Sequence, residues 1–110
     1  LPIRQLVRAD AGWRERMIGL AGDDFAFVAG PSDMTAALTS SHANAPQGSI
    51  VETSPASTAI VGEVAGRIMR QGGAALFIDY GHLAPRTGST LQAVRAHRRV
   101  DPLAYPGEAD

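Results

Sequence analysis

Apolar positions fall into short runs in the first third of the chain. Residues 3–8, 13–20 and 25–29 are rich in β-favouring side chains, and Ala9-Asp10-Ala11-Gly12 and Gly22-Asp23-Asp24 separate them. Turn residues at that spacing predict a three-stranded meander. Period-two alternation in the middle run puts Trp13, Glu15 and Met17 on one face and Arg14, Arg16 and Ile18 on the other, so neither face is cleanly apolar. Residues 30–48 are small and polar and are broken by Pro31 and Pro46. They read as a surface loop, with one helical turn over residues 34–38.

The pattern then changes period. Ile60, Val64 and Ile68 recur every four residues with Ala65 and Met69 beside them, which predicts an amphipathic helix with Glu63 and Arg67 paired on its outer face. Ser54 is its expected N-cap, Pro55 its first residue, and Gly72 its left-handed C-terminal residue. Residues 74–78 (Ala-Ala-Leu-Phe-Ile) are apolar on both faces, as in a central strand of a parallel sheet covered by helices on each side. That strand would release the chain at Asp79-Tyr80-Gly81-His82, and open α/β sheets bind ligands at such an edge. Residues 90–94 suggest a further short strand, and the tail is irregular. One parallel strand implies parallel neighbours that the 110 residues do not supply, so the chain reads as part of a larger sheet, consistent with its opening on Leu1-Pro2-Ile3 without a methionine.

Composition narrows the field by exclusion. Ten basic and eleven acidic residues give a net charge of −1, with no field to attract nucleic acid or an anionic membrane. All ten basic residues are arginine, which coding bias accounts for at least as readily as function. Cysteine is absent, which removes disulfides, thiolate metal sites and a cysteine nucleophile. The default compartment is the cytosol. No apolar run approaches the ~18 residues of a membrane span. The pair Asp79-x-x-His82 has no third residue at ligand spacing, so no metal site is expected. His42 carries no signal, and His97 within Arg95-Ala96-His97-Arg98-Arg99 reads as a solvated face. Glu52 is either a polar anchor or part of the approach to the helix. No phosphate-binding glycine loop or serine elbow occurs, so an unrelated hydrolase ranks far behind.

Five segments carry a resemblance: Leu1-Pro2-Ile3-Arg4-Gln5, Gly12-Trp13-Arg14-Glu15-Arg16-Met17, Gly72-Gly73 through Gly81-His82, Thr90-Leu91-Gln92-Ala93, and Asp101-Pro102-Leu103 with Pro106-Gly107-Glu108-Ala109-Asp110. In this order and spacing the chain resembles the MidA family of S-adenosylmethionine-dependent methyltransferases. The resemblance implies an α/β fold, a portion of the class I (Rossmann-like) methyltransferase domain, with residues 3–29 as a β-meander insertion, 30–48 as a loop, and 49–110 as helix, central strand and following loop. It implies S-adenosyl-L-methionine as cofactor and a protein arginine as methyl acceptor, in mitochondrial members on a subunit of respiratory complex I. By similarity, Leu1 and Pro2 end a motif that borders the cofactor. Asp79, Tyr80 and His82 are the implied catalytic residues, and Gly81 and Gln92 lie on the substrate side. The glycine-rich loop and the acidic ribose ligand of the family do not occur in these residues, so the segment alone is expected to be inactive. The implied address is cytoplasmic for a bacterial parent and mitochondrial for a eukaryotic one. Partner docking through the meander, with Trp13 as its test position, is a further expectation. The rival reading is an assembly scaffold that keeps the fold without turnover.

Overall fold

The computed structural model describes residues 2–79, 81–84 and 86–110. Three strands form the expected meander: β1 (Arg4–Ala9), β2 (Gly12–Ala21) and β3 (Asp24–Asp33). The first turn is two residues long, with Ala9 opposite Gly12, and the second is formed by Gly22 and Asp23, with Ala21 opposite Asp24. Gly22 takes a φ of 67°, the left-handed conformation that tight hairpins require. β4 (Ile50–Thr53) then returns to pair antiparallel with β1, and the sheet runs in the order β3-β2-β1-β4.

Alternation divides this sheet into two unlike faces. Leu6 stands opposite Val51 in the register, and Trp13, on the same face, completes the buried core with them. Leu6 and Trp13 are each only 1% exposed. Met34, Leu38 and Ala45 pack against this cluster, so residues 34–45 form a lid on the sheet instead of a free surface loop. Its two short 3-10 turns are Thr35–Ala37 and Ser40–His42. The lid is pinned where the Met34 N–H donates to the Trp13 carbonyl and the Thr35 hydroxyl accepts from the Trp13 N–H. Burial at this depth also removes Trp13 from any docking surface, since a partner could reach it only after the lid had opened. The opposite face carries the polar side chains of Gln5, Arg16 and Glu52 beside the apolar ones of Ile18 and Phe27.

Helix α1 (Pro55–Gln71) has the expected limits, with Pro55 in its first turn and Gly72 at φ 75° closing it. Its Glu63–Arg67 pair forms at 3.5 Å. The Ser54 hydroxyl accepts no capping bond from the first turn, and it donates to the Pro2 carbonyl at 2.8 Å. The helix buries no residue: Ile60 in its apolar stripe is exposed, and Val64 and Ile68 are only half-buried.

The expected strand over residues 74–78 is absent: these residues join no ladder, and Leu76 and Ile78 are exposed. A central parallel strand needs parallel neighbours to bond, and the sheet that the described residues build is antiparallel. The structure is thus a small mixed α/β arrangement. Further on, β5 (Ala93–Arg95) pairs with β6 (Arg98–Val100) around Ala96 and His97, both at positive φ. The strand expected over 90–94 is therefore shifted toward the C-terminus, and the basic run beyond it is a hairpin. The tail is strapped to β5 by a reciprocal backbone pair between Val94 and Asp110.

Candidate functional site

β1 and β4 place Gln5 directly opposite Glu52 on the face away from Trp13. The Gln5 amide donates to Glu52 Oε1 at 2.7 Å and to the Ser89 hydroxyl at 2.7 Å, while its oxygen accepts from Arg16 Nη1 at 2.6 Å. Glu52 also receives the Thr90 N–H on Oε1 at 2.8 Å and the Thr90 hydroxyl on Oε2 at 2.6 Å. A further bond, from the Gly88 N–H to the Ile50 carbonyl, fixes the loop at the edge of β4. Glu52 is therefore the polar anchor of residues 88–90, which settles the alternative that its sequence left open.

Partial burial pushes the Glu52 carboxyl up. The hydrogen bonds from Thr90 and Gln5 and the nearby His82 outweigh that effect and hold it below the ordinary carboxylate range. At the far end of the network the Arg16 guanidinium lies over the Phe27 ring, 3.4 Å from its centroid. On the other face of the sheet, Arg4 grips Glu15 through two bonds of 2.8 Å. That grip lowers the Glu15 carboxyl and raises the Arg4 guanidinium.

Two open clefts meet at Glu52. One, of about 450 Å³, is lined by Gln5, Glu15, Arg16, Phe27, Leu91 and Gln92, among others. The second, of about 400 Å³, brings Gly81 and His82 against Ile3, Glu52, Arg86 and Thr90. The His82 ring donates from Nδ1 to the Ala84 carbonyl at 2.8 Å, which turns Nε2 outward as the remaining ring nitrogen. The Gln92 side-chain oxygen accepts from Arg99 at 2.6 Å.

Of the residues expected from the sequence, Gly81, His82 and Gln92 thus come to the two sides of Glu52. Asp79 is exposed and lines neither cleft. Pro2 lies two residues before β1 and is engaged through its carbonyl with Ser54. Tyr80 and Leu1 lie outside the described residues. Sequence reasoning missed Gln5, Arg16 and Phe27, and left the anchoring role of Glu52 as one of two alternatives. Only the shared parity of Gln5 and Glu52 on neighbouring strands could have pointed to them. Among the described residues no group of three or more His, Asp or Glu side chains is placed to hold a metal, and no helix is long and apolar enough to cross a membrane.

A family model described as "Putative S-adenosyl-L-methionine-dependent methyltransferase" matches residues 1–110. The chain belongs to this methyltransferase family. Among curated proteins it is 39% identical over 113 residues to the protein arginine methyltransferase NDUFAF7, mitochondrial, of Xenopus tropicalis, a match that takes in 100% of this chain and 26% of that protein. The human protein of the same name is 34% identical over 113 residues, with 100% and 25% covered. The Drosophila melanogaster homolog is 33% identical over 121 residues, with 100% and 26% covered. The chain spans about a quarter of the length of these relatives.

The family depends on S-adenosyl-L-methionine, and the described residues do not form a cradle for it. A ribose diol calls for a carboxylate with both oxygens available. Of the carboxylates at the clefts, Glu15 is held at both oxygens by Arg4, and Glu52 at both by Gln5 and Thr90. The clefts are suited to donors and cations, because they combine carboxylates, amide oxygens and an aromatic face.

Proposed function

We propose that this chain forms the acceptor side of an S-adenosylmethionine-dependent protein arginine methyltransferase acting in the assembly of respiratory complex I. Membership of the methyltransferase family over the whole chain carries this reading, and the names of its relatives supply arginine as the acceptor. In this proposal the class I methyltransferase fold is completed by parts of the relatives' length that this chain does not span, and these also hold the cofactor. The chain alone is then inactive. The relatives' names place them in mitochondria, and the same address is proposed here for a eukaryotic source, with the cytoplasm for a bacterial one.

When bound, the cofactor supplies an electrophilic methyl group. The residues of this chain act by holding the acceptor and excluding water. Asp79 holds and polarises the guanidinium by a charge-assisted hydrogen bond, and Tyr80 stacks against it or contacts it through its hydroxyl. His82 takes up the released proton at Nε2, with Nδ1 fixed on the Ala84 carbonyl. Gly81 allows close approach, and Gln92 contributes from the neighbouring cleft.

The test is a calorimetric titration of S-adenosylmethionine into the full-length protein, with the 110-residue segment as control, followed by mass spectrometry of acceptor proteins for methylated arginine. Micromolar binding by the full-length protein alone, together with methylarginine that requires it, is the expected result. No binding by a folded full-length protein would replace this reading with that of an assembly scaffold.

A further inference from the structure

The cleft of about 450 Å³ already holds one guanidinium, that of Arg16. Its surroundings are those by which proteins recognise arginine: the face of Phe27 at 3.4 Å, the amide oxygen of Gln5 at 2.6 Å, and the attraction of the Glu52 carboxylate in the same wall. Yet Arg16 is held without being locked. It forms no ion pair within 4.0 Å among the described residues, and the carboxylate on its own face, Glu52, is committed to Gln5 and Thr90. Burial pulls the Arg16 guanidinium down from its ordinary value, and the attraction of Glu52 only partly restores it. A cation in this position has given up hydration for one neutral acceptor and one ring, so exchange with solvent is cheap. With Arg16 swung out, the carboxylate of Glu52 leaves this wall net negative.

We propose that this cleft is a binding site for an external arginine side chain and that Arg16 is its resident competitor. The site lies across Glu52 from Gly81 and His82. It is a second guanidinium site, apart from the one proposed above for the reacting arginine, and its assignment to the acceptor protein rests on that reading. The incoming side chain replaces Arg16 on Phe27 and on the Gln5 oxygen, so affinity is set by competition within the chain.

The experiment is a calorimetric titration of N-acetyl-arginine amide into the full-length protein without S-adenosylmethionine, with N-acetyl-lysine amide as control. Arg16→Ala is expected to bind the arginine probe at least ~10-fold more tightly than the native protein, and Arg16→Lys to fall between them. Adding Phe27→Leu to Arg16→Ala, which keeps the packing and removes the ring, should abolish the gain. The lysine probe should bind none of them measurably. If Arg16→Ala fails to fold, as judged by circular dichroism, Arg16→Lys carries the comparison. The proposal is overturned if neither Arg16 variant binds the arginine probe more tightly than the native protein, if the gain survives Phe27→Leu, or if the lysine probe binds equally well. Because no methyl transfer is read, this result is independent of whether the full-length protein binds S-adenosylmethionine.

Discussion

Glu52 and Thr90 meet through two bonds, N–H to Oε1 and hydroxyl to Oε2, across 38 residues of sequence. This pair joins the sheet to the loop that carries Leu91 and Gln92, and it is charged on one side only. Replacing Glu52 with glutamine turns one acceptor into a donor that faces the Thr90 N–H or hydroxyl. The expected cost is about 2 kcal/mol of local stability, read as an approximately 30-fold faster exchange of the Thr90 amide. Unchanged exchange would remove Glu52 from its role as anchor.

The same pair sets a pH dependence. The Glu52 carboxyl lies lower in the folded chain than in the unfolded one. Its contribution is therefore complete above the ordinary glutamate range and is lost as pH falls through the depressed folded value. Loop 88–90 should accordingly loosen on the acid side of about pH 4, and Glu52→Gln should abolish that acid step while leaving neutral-pH behaviour flat. Amide exchange at Thr90 measured from pH 3 to 7 checks both.

Trp13 fills the space between β1, β4 and the lid over residues 34–45. Trp13→Ala should cost about 3 to 5 kcal/mol, and Trp13→Phe clearly less. Urea unfolding followed by circular dichroism measures this, and a loss below 1 kcal/mol would mean that the lid collapses onto the cavity.

Gly12 allows the first turn at φ 122°, where an added Cβ would stand 2.9 Å from the Thr35 hydroxyl oxygen and 3.2 Å from Asp33 Oδ1. Gly12→Ala combines a strained backbone with a clash against the pins of the lid, so about 2 kcal/mol of destabilisation is expected in the same unfolding assay. Alanine at Gly22, which has open space around it, meets only the backbone term and should cost less.

Asp79 is exposed, so Asp79→Asn should leave folding intact. If it holds the acceptor guanidinium as proposed, kcat/KM for an arginine peptide falls about 10- to 100-fold, the loss of one charge-assisted hydrogen bond. Equal kcat/KM in variant and native protein would exclude Asp79 from acceptor binding.

The meander was legible because its signals are local. Asp10-Ala11-Gly12 and Gly22-Asp23 are turn formers between β-rich runs, and the pairs they create are nearest neighbours in sequence. The limits of α1 were legible for the same reason, through Pro55 and Gly72. Glu52 was ambiguous because its partner Thr90 is far away in sequence and no short pattern marks the pairing. The lid was obscured by composition: Met34, Leu38 and Ala45 are isolated apolar residues in a polar stretch, and only the fold reveals that they share a side. Residues 74–78 read as a strand by their apolar content, but a strand is defined by what bonds to it, and no strand of the sheet formed here pairs with them. In the site, the sequence led to Gly81, His82 and Gln92 through family resemblance, whereas Gln5, Arg16 and Phe27 come from three different strands and became a group only on folding.

Gln5 connects the polar groups on its face of the sheet by presenting its oxygen to Arg16 and its nitrogen to Glu52 and Ser89. A primary amide is directional: turning it end for end would set donor against donor at Arg16 and leave its oxygen facing the Glu52 carboxylate. The orientation seen here is therefore maintained from both ends at once. Whatever draws Arg16 away releases one end and weakens the preference at the other. Gln5 thus acts as a molecular vane, and the stiffness of loop 88–90 reports whether its oxygen is engaged.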